Sequence, residues 1–450
     1  MGLRYILDFL KQDMNYQGVY MRMDHAMVPH LTTANTRPLF ALEKIILDQA
    51  ANIEAWFRRE WQKTPPPITS SVDLRNAGFK LAPVDTNLFP AGFNNLNPEF
   101  MPLCIQAVQS TLIDMAPSCR RLVIVPENHT RNKYYLQSLA VLESIFRKAG
   151  FEVRIGSLDP ELHETREITL ENDEKIIISP LVREQDYLKL DDFIPCLLVL
   201  NNDLSDGLPP ALENIKQRVM PSARLGWHAR SKSDHFSLYT QVAQEFAQIT
   251  SIDPWLIYPI SRVVHGIDFM ATEGMDKLAA EVDFVLAATR EKYQQYGIGD
   301  RPYAVVKADN GTYGMSVMMV YDAKQVQQLN RKQRTKMSAT KGSQKVERLL
   351  IQEGIYTFET MPDGAVAEPV IYMLGQYVVG GFYRVHQGRD IDENLNAPGM
   401  YFEPLAFAQP CNTPCPEKDP GECINRFYSY GVIARLAALA AARENARVGG

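Results

Sequence analysis

A lysine followed by a glycine-bearing turn between two apolar strand patterns constrains the fold of this chain more than any other feature. Residues 303–306 are an apolar run that ends at Lys307, and residues 315–320 have the pattern of a second strand. Glycines in such a turn let backbone N–H groups approach an anion closely, and the lysine ammonium adds a point charge. A P-loop would instead place its lysine after the glycines and before a helix. The segment therefore predicts a hairpin whose glycines either hold a polyphosphate or only supply positive φ.

Length and charge bound the class of protein. With 450 residues and 46% hydrophobic content, the chain can bury two or three cores, since domains cluster near ~100–200 residues. Its net charge of -6 argues against a protein that follows nucleic-acid phosphates. No apolar run reaches the ~18 residues that a membrane-spanning helix needs. We therefore expect neither a nucleic-acid nor a membrane partner.

The start of the sequence and the cysteines predict the compartment. Residues 1–5 lack a basic stretch leading into an apolar one, so no secretory signal is expected. The six cysteines then favour reduced thiols in a cytoplasm. Cys411, Cys415 and Cys423 form a C-x3-C-x7-C cluster, for which His386 is the nearest candidate fourth ligand. The cluster lacks CxxC spacing, so free thiols or one incidental disulfide are expected rather than a metal.

Hydrophobic periodicity predicts helices at both ends of the chain and an α/β unit between them. Apolar residues at 40–57 recur mostly every three or four positions and predict one long helix. This helix ends near Lys63, because no helix can cross Pro65-Pro66-Pro67. Residues 1–64 are therefore expected to form an N-terminal helical segment. At the other end, residues 428–443 predict an alanine-rich helix.

The α/β unit follows the proline run. Residues 122–125 predict a strand, 134–148 a helix and 151–155 a second strand, which implies a right-handed parallel crossover. Residues 196–200 predict a further strand. Polar residues 127–132 and 201–203 follow two of these strands, and ligands gather beyond the carboxyl ends of strands in open α/β sheets. Polar loops after strands are also ordinary, so position alone is a weak argument.

The C-terminal third has a different pattern. Residues 275–296 predict a helix that leads to the lysine hairpin, and residues 324–345 predict a solvated helix with a mobile loop. Residues 365–385 predict paired strands with a turn at 374–377. Within the polar stretch, residues 336–344 have almost no apolar area to offset the cost of ordering them, roughly 1–2 kcal/mol per residue. They are expected to form either a lid over bound nucleotide or a solvated connector.

The order of charged and glycine residues over roughly residues 265–410 resembles an ATP-grasp domain. Lys292 lies in a helix, Lys307 precedes the glycine turn, and Glu368 and Arg384 follow on later strands. The resemblance implies ATP and Mg²⁺ as cofactors. Lys307 and Arg384 are then the catalytic residues, with Arg384 steadying the transferred phosphoryl group. The nucleotide-binding set that it implies is Lys292, Lys307, Gly311, Thr312, Tyr313, Gly314, Glu368 and Ile371.

The metal ligands implied by that resemblance are less sharply defined. The usual Glu-x-Asn pair of ATP-grasp domains is not clean here, because Asp392, Glu393, Asn394, Asn396 and Glu403 all compete for it. Mg²⁺ takes oxygen ligands and shares phosphates with the protein. We take Glu393, Asn394 and Asn396 as the predicted set.

Three N-terminal segments resemble a proteobacterial glutamate–cysteine ligase family. They are residues 73–96 (DLRNAGFKLAPVDTNLFPAGFNNL), 126–135 (PENHTRNKYY) and 226–232 (GWHARSK). The resemblance implies ATP-dependent joining of the glutamate γ-carboxylate to the cysteine amine, the first step of glutathione synthesis, with L-glutamate, L-cysteine and ATP as substrates. It also implies an α/β fold in which a parallel-sheet substrate domain at 65–255 precedes an ATP-grasp-like domain at 256–450.

An amino-acid substrate needs an arginine for its carboxylate and acid or amide acceptors for its ammonium group. Asp73 has suitable chemistry, and His129 lies just beyond a predicted strand end. The alternative for the Asn and Asp residues is that they only make turns in this Gly- and Pro-rich segment. The predicted substrate-binding set is Arg75, Asn76, Asp85, Asn87, Asn94, Asn95, His129, Arg131 and Arg230.

Two other functions compete with this prediction. The first is another ATP-grasp carboxylate–amine ligase, such as a glutathione synthetase, because residue types alone do not select cysteine as acceptor. The second is an ATP-binding regulator without catalysis, against which the set Lys307, Glu368, Arg384 and Asn396 argues. A homo-oligomer is possible in every case.

Overall fold

The computed structural model describes residues 37–128, 132–310, 317–337, 346, 348–361, 363–405 and 426–449. The helices in these residues are α1 (Arg37–Asp48), α2 (Ala50–Lys63), α3 (Met101–Met115), α4 (Lys133–Lys148), α5 (Lys232–Thr250), α6 (Thr272–Tyr296), α7 (Ala323–Gln327), α8 (Arg331–Met337) and α9 (Arg426–Arg447). The strands are β1 (Thr69–Asn76), β2 (Leu81–Asn87), β3 (Arg121–Pro126), β4 (Glu152–Ser157), β5 (Arg166–Thr169), β6 (Lys175–Pro180), β7 (Val182–Glu184), β8 (Tyr187–Lys189), β9 (Leu197–Asn201), β10 (Arg218–Met220), β11 (Ser261–His265), β12 (Ala304–Ala308), β13 (Val317–Val320), β14 (Arg348–Glu353), β15 (Glu359–Thr360), β16 (Val366–Leu374), β17 (Tyr377–His386) and β18 (Tyr401–Pro404).

The central sheet is antiparallel and has the order β18-β17-β16-β1-β2, with β15 paired to β16. The predicted strand pair at 365–385 is confirmed, and its turn contains Gly375 at a φ of 57°. Helices α2, α5 and α9 pack on one face of the sheet, while α3 and its neighbours pack on the other. Strand β16 is buried along its whole length for this reason. The sheet joins strands on both sides of residue 255, where the sequence predicts a domain boundary.

The second sheet is mostly parallel and has the order β10-β9-β3-β4-β6-β5, with β5 antiparallel at its edge. The predicted crossover is confirmed, because β3 and β4 pair in parallel and α4 connects them. Asn132 caps α4 by accepting from the N–H groups of Tyr134 and Tyr135. The expectation of reduced thiols is corrected by a disulfide between Cys119 and Cys196. These residues precede the neighbouring strands β3 and β9, which brings their Cα atoms to 5.7 Å, within disulfide range.

The third sheet is antiparallel and has the order β11-β14-β12-β13. Helix α6 covers it with an apolar face, and the predicted helix at 275–296 is thereby confirmed. The predicted hairpin at Lys307 is also confirmed, because Lys307 on β12 pairs with Val317 on β13. The glycine turn between these strands lies outside the described residues.

The helices at the two ends pack together on the central sheet. The sequence predicts one N-terminal helix, but the structure breaks it at Gln49 into α1 and α2. Helix α9 confirms the alanine-rich prediction, and its small side chains let it lie almost fully buried against the sheet. The result is a mixed α/β fold with several sheets. None of the described helices has both the length and the apolarity that crossing a bilayer requires.

Candidate active site

Two adjoining cavities lie between the central sheet and the other two large sheets. The first is lined by Lys307 and Gln352 of the third sheet, and we call it the lysine cavity. The second is lined by Asn87, Asn94 and Asn95, and we call it the asparagine cavity. Both are bounded by a shared wall, which consists of Asp73, Asp85, Arg384 and Asn396.

The pairing of strands explains why the shared wall carries these charges. Asp73 on β1 lies opposite Asp85 on β2, and Glu368 on β16 lies opposite Arg384 on β17. Arg384 Nη1 donates to Glu368 Oε1 at 2.6 Å and to Asp73 Oδ2 at 2.8 Å. On the other side of Glu368, Arg75 Nε donates to Oε2 at 3.0 Å. Two arginines therefore hold Glu368 in one orientation.

Arg384 keeps its charge in spite of its burial. Burial disfavours the guanidinium, but the carboxylates of Asp73 and Glu368 outweigh this effect and raise the pKa of Arg384. Burial also raises the pKa of Asp73, and Arg384 opposes that shift. Among the described residues, the Nε of Arg384 has no hydrogen-bond partner. This donor is buried, so the described residues leave it unsatisfied.

A carboxylate lies beside two ammonium groups in the lysine cavity. Lys232 Nζ donates to the two oxygens of Asp85 at 2.7 and 2.9 Å. Lys307 Nζ donates to Val84 O at 2.9 Å and to Gln352 Oε1 at 2.8 Å. Burial lowers the pKa of Lys307 to about 8, which Asp85 partly opposes. Burial would raise the pKa of Asp85, but the two lysines bring it down to about 2.

The asparagine cavity opens at the carboxyl ends of the parallel strands. Glu127 follows β3, Asn201 ends β9, and both line the cavity. The Oδ1 atoms of Asn94 and Asn201 are buried without a hydrogen-bond partner among the described residues. Asn87 Oδ1 accepts from Phe89 N at 3.0 Å. Asn87 therefore makes a turn and also lines the cavity.

Four predicted residues lie outside the described lining of both cavities. Lys292 Nζ pairs with Asp253 at 2.8 Å. Asn76 donates to Glu359 at 3.1 Å and accepts from Gly78 N. Both side chains are held by these partners, so neither is brought to the predicted site.

The other two are Arg230 and Ile371. Arg230 Nε donates to Glu444 at 2.7 Å, and its Nη1 donates to Thr86 O at 2.7 Å. Ile371 is fully buried in the core, because both faces of β16 are covered. Neither residue is placed to touch a ligand in these cavities.

The remaining predicted residues divide into two groups. Arg75 lines the lysine cavity, but its donors bond Glu368, Tyr303 Oη and the carbonyls of Ile355 and Glu393, so it holds other residues in place. Outside the described residues lie most of residues 336–344, the cysteines Cys411, Cys415 and Cys423, and the following predicted site residues: His129, Arg131, Gly311, Thr312, Tyr313 and Gly314.

The predicted metal ligands do line the lysine cavity. Glu393 accepts from Arg389 at 2.9 Å, and Asn394 Oδ1 accepts from Asn396 N at 3.0 Å. The described residues contain no cluster of three His, Cys, Asp or Glu suited to a metal ion. The described lining nevertheless offers carboxylate and amide oxygens without thiols or imidazoles. Such oxygens fit Mg²⁺, which binds through one or two carboxylates together with phosphates and water.

Lys232, Gln352 and Ile355 are among the lining residues that sequence reasoning missed. Lys232 belongs to the segment 226–232, and the family resemblance of that segment implies no role for the lysine. Gln352 and Ile355 lie at and just after the end of β14. The available signal for these two residues was the sequence Gln-Glu-Gly-Ile at the end of a predicted strand. Nothing in the sequence shows, however, that β14 neighbours β12.

Comparisons with known proteins agree on one family. The sequence matches the glutamate-cysteine ligase family (GshA) over residues 43–445. A solved crystal structure from Methylobacillus flagellatus KT, provisionally named a gamma-glutamylcysteine synthetase, is 53% identical with a TM-score of 0.88 and covers 94% of this chain and 99% of that chain. A D-alanyl-alanine synthetase A from Vibrio cholerae O1 biovar eltor str. N16961 is 11% identical with a TM-score of 0.35, over 71% of this chain and 81% of that chain, which is too distant to carry an argument. No curated protein sequence matched.

Proposed function

Because the chain belongs to the glutamate–cysteine ligase family, we propose that its two adjoining cavities divide the substrates of that reaction between them. The enzyme joins the γ-carboxylate of glutamate to the amine of cysteine and forms ADP. In this proposal ATP occupies the lysine cavity and the amino acids occupy the asparagine cavity. The observation that carries the proposal is the shared wall, because two substrates can react only where their sites meet.

The lysine cavity has the chemistry that a nucleoside triphosphate needs. Val305, Met319 and Ile355 supply apolar surface for a purine ring. Lys307 lies at the end of β12, next to the glycine turn, and supplies an ammonium group for phosphate oxygens. We also propose that these elements are arranged as in an ATP-grasp domain. Gly311, Thr312, Tyr313 and Gly314 of the turn would cover the phosphates.

The asparagine cavity has the chemistry that an amino acid needs. The buried Oδ1 of Asn94 and the carboxylates of Asp85 and Glu127 are acceptors for an ammonium group. Arg131, two residues before α4 begins at Lys133, is the predicted partner for an α-carboxylate. Its role remains a prediction from the sequence.

Charge neutralisation at the shared wall would drive the first step. A carboxylate is a poor electrophile, so a γ-carboxylate oxygen first attacks the γ-phosphorus of ATP. The bond to the bridging oxygen breaks and ADP leaves. Arg384, with its unpartnered Nε, would stabilise the charge that spreads over the phosphoryl oxygens.

In the second step the cysteine amine attacks the acyl carbon and inorganic phosphate leaves. The attacking nitrogen loses one proton, which phosphate or water can accept. The wall carboxylates Asp73 and Asp85 would orient the amine by accepting hydrogen bonds from its N–H groups. Mg²⁺ held by Glu393, Asn394 and Asn396 would supply further charge compensation for the phosphates.

We infer that the enzyme is cytoplasmic and that it can form a homo-oligomer. Disulfides are rare in cytoplasmic proteins, so the bond between Cys119 and Cys196 tests the location. Titration of free thiols in rapidly alkylated cell extract shows whether this bond forms in the cell.

The decisive experiment measures the products formed from ATP by the purified protein. We expect ADP and phosphate when glutamate and cysteine are both present, together with γ-glutamylcysteine. Little product should form with glutamate alone, or with γ-glutamylcysteine and glycine, the substrates of a glutathione synthetase. AMP and pyrophosphate would contradict an acyl phosphate, and ATP binding without turnover would favour the regulator.

A further inference from the structure

An apolar patch lies beside the charged shared wall in the asparagine cavity. Val370 on β16, Phe382 on β17 and Phe402 on β18 all line this cavity, and we call them the apolar floor. The centres of the Phe382 and Phe402 rings are 4.8 Å apart, and the rings meet edge to face. None of the three has a part in the contacts proposed for ATP or for an ammonium group.

Strand register places the apolar floor next to the reacting groups. Val370 lies opposite Asp73 on one side and opposite Phe382 on the other. Phe402 lies opposite Arg384 on the next pair of strands. Directly opposite residues of antiparallel strands have Cβ atoms about 4.5–5.5 Å apart. A small amino acid whose amine contacts Asp73 therefore has Val370 and the two rings within reach of its side chain.

Arg384 brings the reacting atoms to the same strand. Its Nη1 donates to Asp73 Oδ2 at 2.8 Å, although β16 lies between the strands of these two residues. The side chain of Arg384 therefore crosses β16, which carries Val370. The acyl phosphate that Arg384 stabilises and the amine that Asp73 orients then meet above this strand, beside the apolar floor.

The apolar floor suits a thiol better than a hydroxyl. Sulfur makes favourable contacts with aromatic rings, often at the ring edge, whereas a hydroxyl that is buried without a partner loses its hydrogen bonds to water. Val370 and Phe382 are 2% and 4% exposed and carry no polar side-chain atom. The hydroxyl of Tyr372, which also lines the cavity, donates to Ala91 O, so its proton is already used.

We propose that the apolar floor is the subsite for the side chain of the acceptor amino acid, where Val370, Phe382 and Phe402 select a thiol over a hydroxyl. The thiol of cysteine lies against Val370 and the two rings, while its amine bonds Asp73. This inference rests on the proposed function, because it assigns the acceptor to the asparagine cavity.

Val370→Thr tests the selection, because threonine keeps the branched shape of valine and offers the hydroxyl of serine a hydrogen-bond partner. The γ-glutamyl products formed from cysteine and from serine are measured at saturating ATP and glutamate. We expect the wild type to prefer cysteine in kcat/KM on the order of 100-fold, the size of rejection that an apolar site gives a hydroxyl. In Val370→Thr this ratio should fall by about 2- to 10-fold, the effect of one neutral hydrogen bond.

Val385→Thr is the matched control. Val385 is also a fully buried strand valine of the central sheet, but it belongs to the core that includes α9 and is absent from the described lining of both cavities. The control should lose stability in urea as Val370→Thr does and keep the wild-type ratio of cysteine to serine.

Phe402→Leu tests the aromatic contact at a half-buried position, where the variant is expected to fold. Leucine keeps an apolar side chain and removes the ring. We expect kcat/KM for cysteine to fall by about 2- to 10-fold, the range of one sulfur–aromatic contact. The value for 2-aminobutyrate, which has a methyl group in place of the thiol, should stay close to that of the wild type.

Three results would overturn the proposal. They are an unchanged ratio in Val370→Thr, a change of the same size in Val385→Thr, and equal losses for cysteine and 2-aminobutyrate in Phe402→Leu. If Val370→Thr does not fold, the two acceptors in Phe402→Leu decide alone. Failure of the proposed function would appear differently, as absent turnover of cysteine by the wild type.

Discussion

Arg384 and Glu368 lie opposite each other on neighbouring antiparallel strands, and Arg384 Nη1 donates to Glu368 Oε1 at 2.6 Å. Arg75 bonds the other oxygen of the same carboxylate. Glu368 therefore has an arginine on each of its two carboxylate oxygens and holds Arg384 in place. The part of the chain that the structure describes offers no hydrogen-bond partner to the Nε of Arg384.

Arg384→Lys should lower kcat far more than it raises the KM for ATP. Lysine keeps a positive charge between Asp73 and Glu368 but loses the planar fork. If the guanidinium meets the phosphoryl group during transfer, its interaction strengthens as charge spreads in the transition state. We expect a loss of about 10²–10³ in kcat, the size seen when one transition-state donor is removed.

Steady-state kinetics with varied ATP measure this effect, and Arg121→Lys is the matched control, since Arg121 is an exposed strand arginine paired with Glu152. A change confined to the KM would make Arg384 a ground-state contact of the nucleotide.

Lys307→Met should weaken ATP binding and flatten its pH dependence. Burial lowers the pKa of Lys307 to about 8. Its ammonium is therefore charged below pH 8 and loses its proton as the pH rises through that value. Bound phosphates raise this pKa again, so ATP binding should take up protons near pH 8 and weaken above it.

Calorimetry in buffers of different ionisation enthalpy counts these protons between pH 7 and 9. Lys175→Met removes another strand lysine, which is exposed and paired with Glu167, and should keep the wild-type profile. Proton uptake that persists in Lys307→Met would assign the titration to another group.

Arg230→Met should destabilise the protein without altering substrate binding by the folded enzyme. The change leaves Glu444, which is 6% exposed, without its arginine partner. Removing one partner of a buried ion pair costs about 3–5 kcal/mol. Urea unfolding measures the loss, and the KM values for glutamate and cysteine are measured on the folded fraction.

Arg147→Met is the control, because Arg147 pairs with Glu143 at an exposed helix position and should cost little. If Arg230 instead held a substrate carboxylate, the KM for that substrate would rise while stability stayed near that of the wild type.

Glu393→Gln should raise the Mg²⁺ concentration needed for half-maximal activity. Glu393 lines the lysine cavity, and a neutral amide is a weaker ligand for Mg²⁺ than a carboxylate. Glu403, which the sequence offers as an alternative metal ligand, lies on β18 outside the described lining of both cavities. Titration of Mg²⁺ at saturating ATP should separate the variants, with Glu403→Gln like the wild type. The reverse order would move the metal site to Glu403.

The sequence by itself determined the local elements and the chemistry of the family. Hydrophobic periodicity and the proline and glycine signals predict the crossover around α4, the hairpin at Lys307 and the strand pair at 365–385, and the structure contains all three. These features depend on neighbours in the chain, so the sequence carries their physical cause. Motif resemblance placed the chain in its family for the same reason, since motifs are local.

Only the tertiary structure decided which charged groups meet. Lys292 and Lys232 both have the chemistry of a phosphate ligand, but Asp253 holds the first and the capped start of α5 brings the second into the cavity. Arg230 is held by Glu444, 214 residues away in the sequence. Cys119 and Cys196 meet because β3 and β9 are neighbours. Each of these outcomes depends on strand order and helix packing between distant segments, which local pattern does not encode.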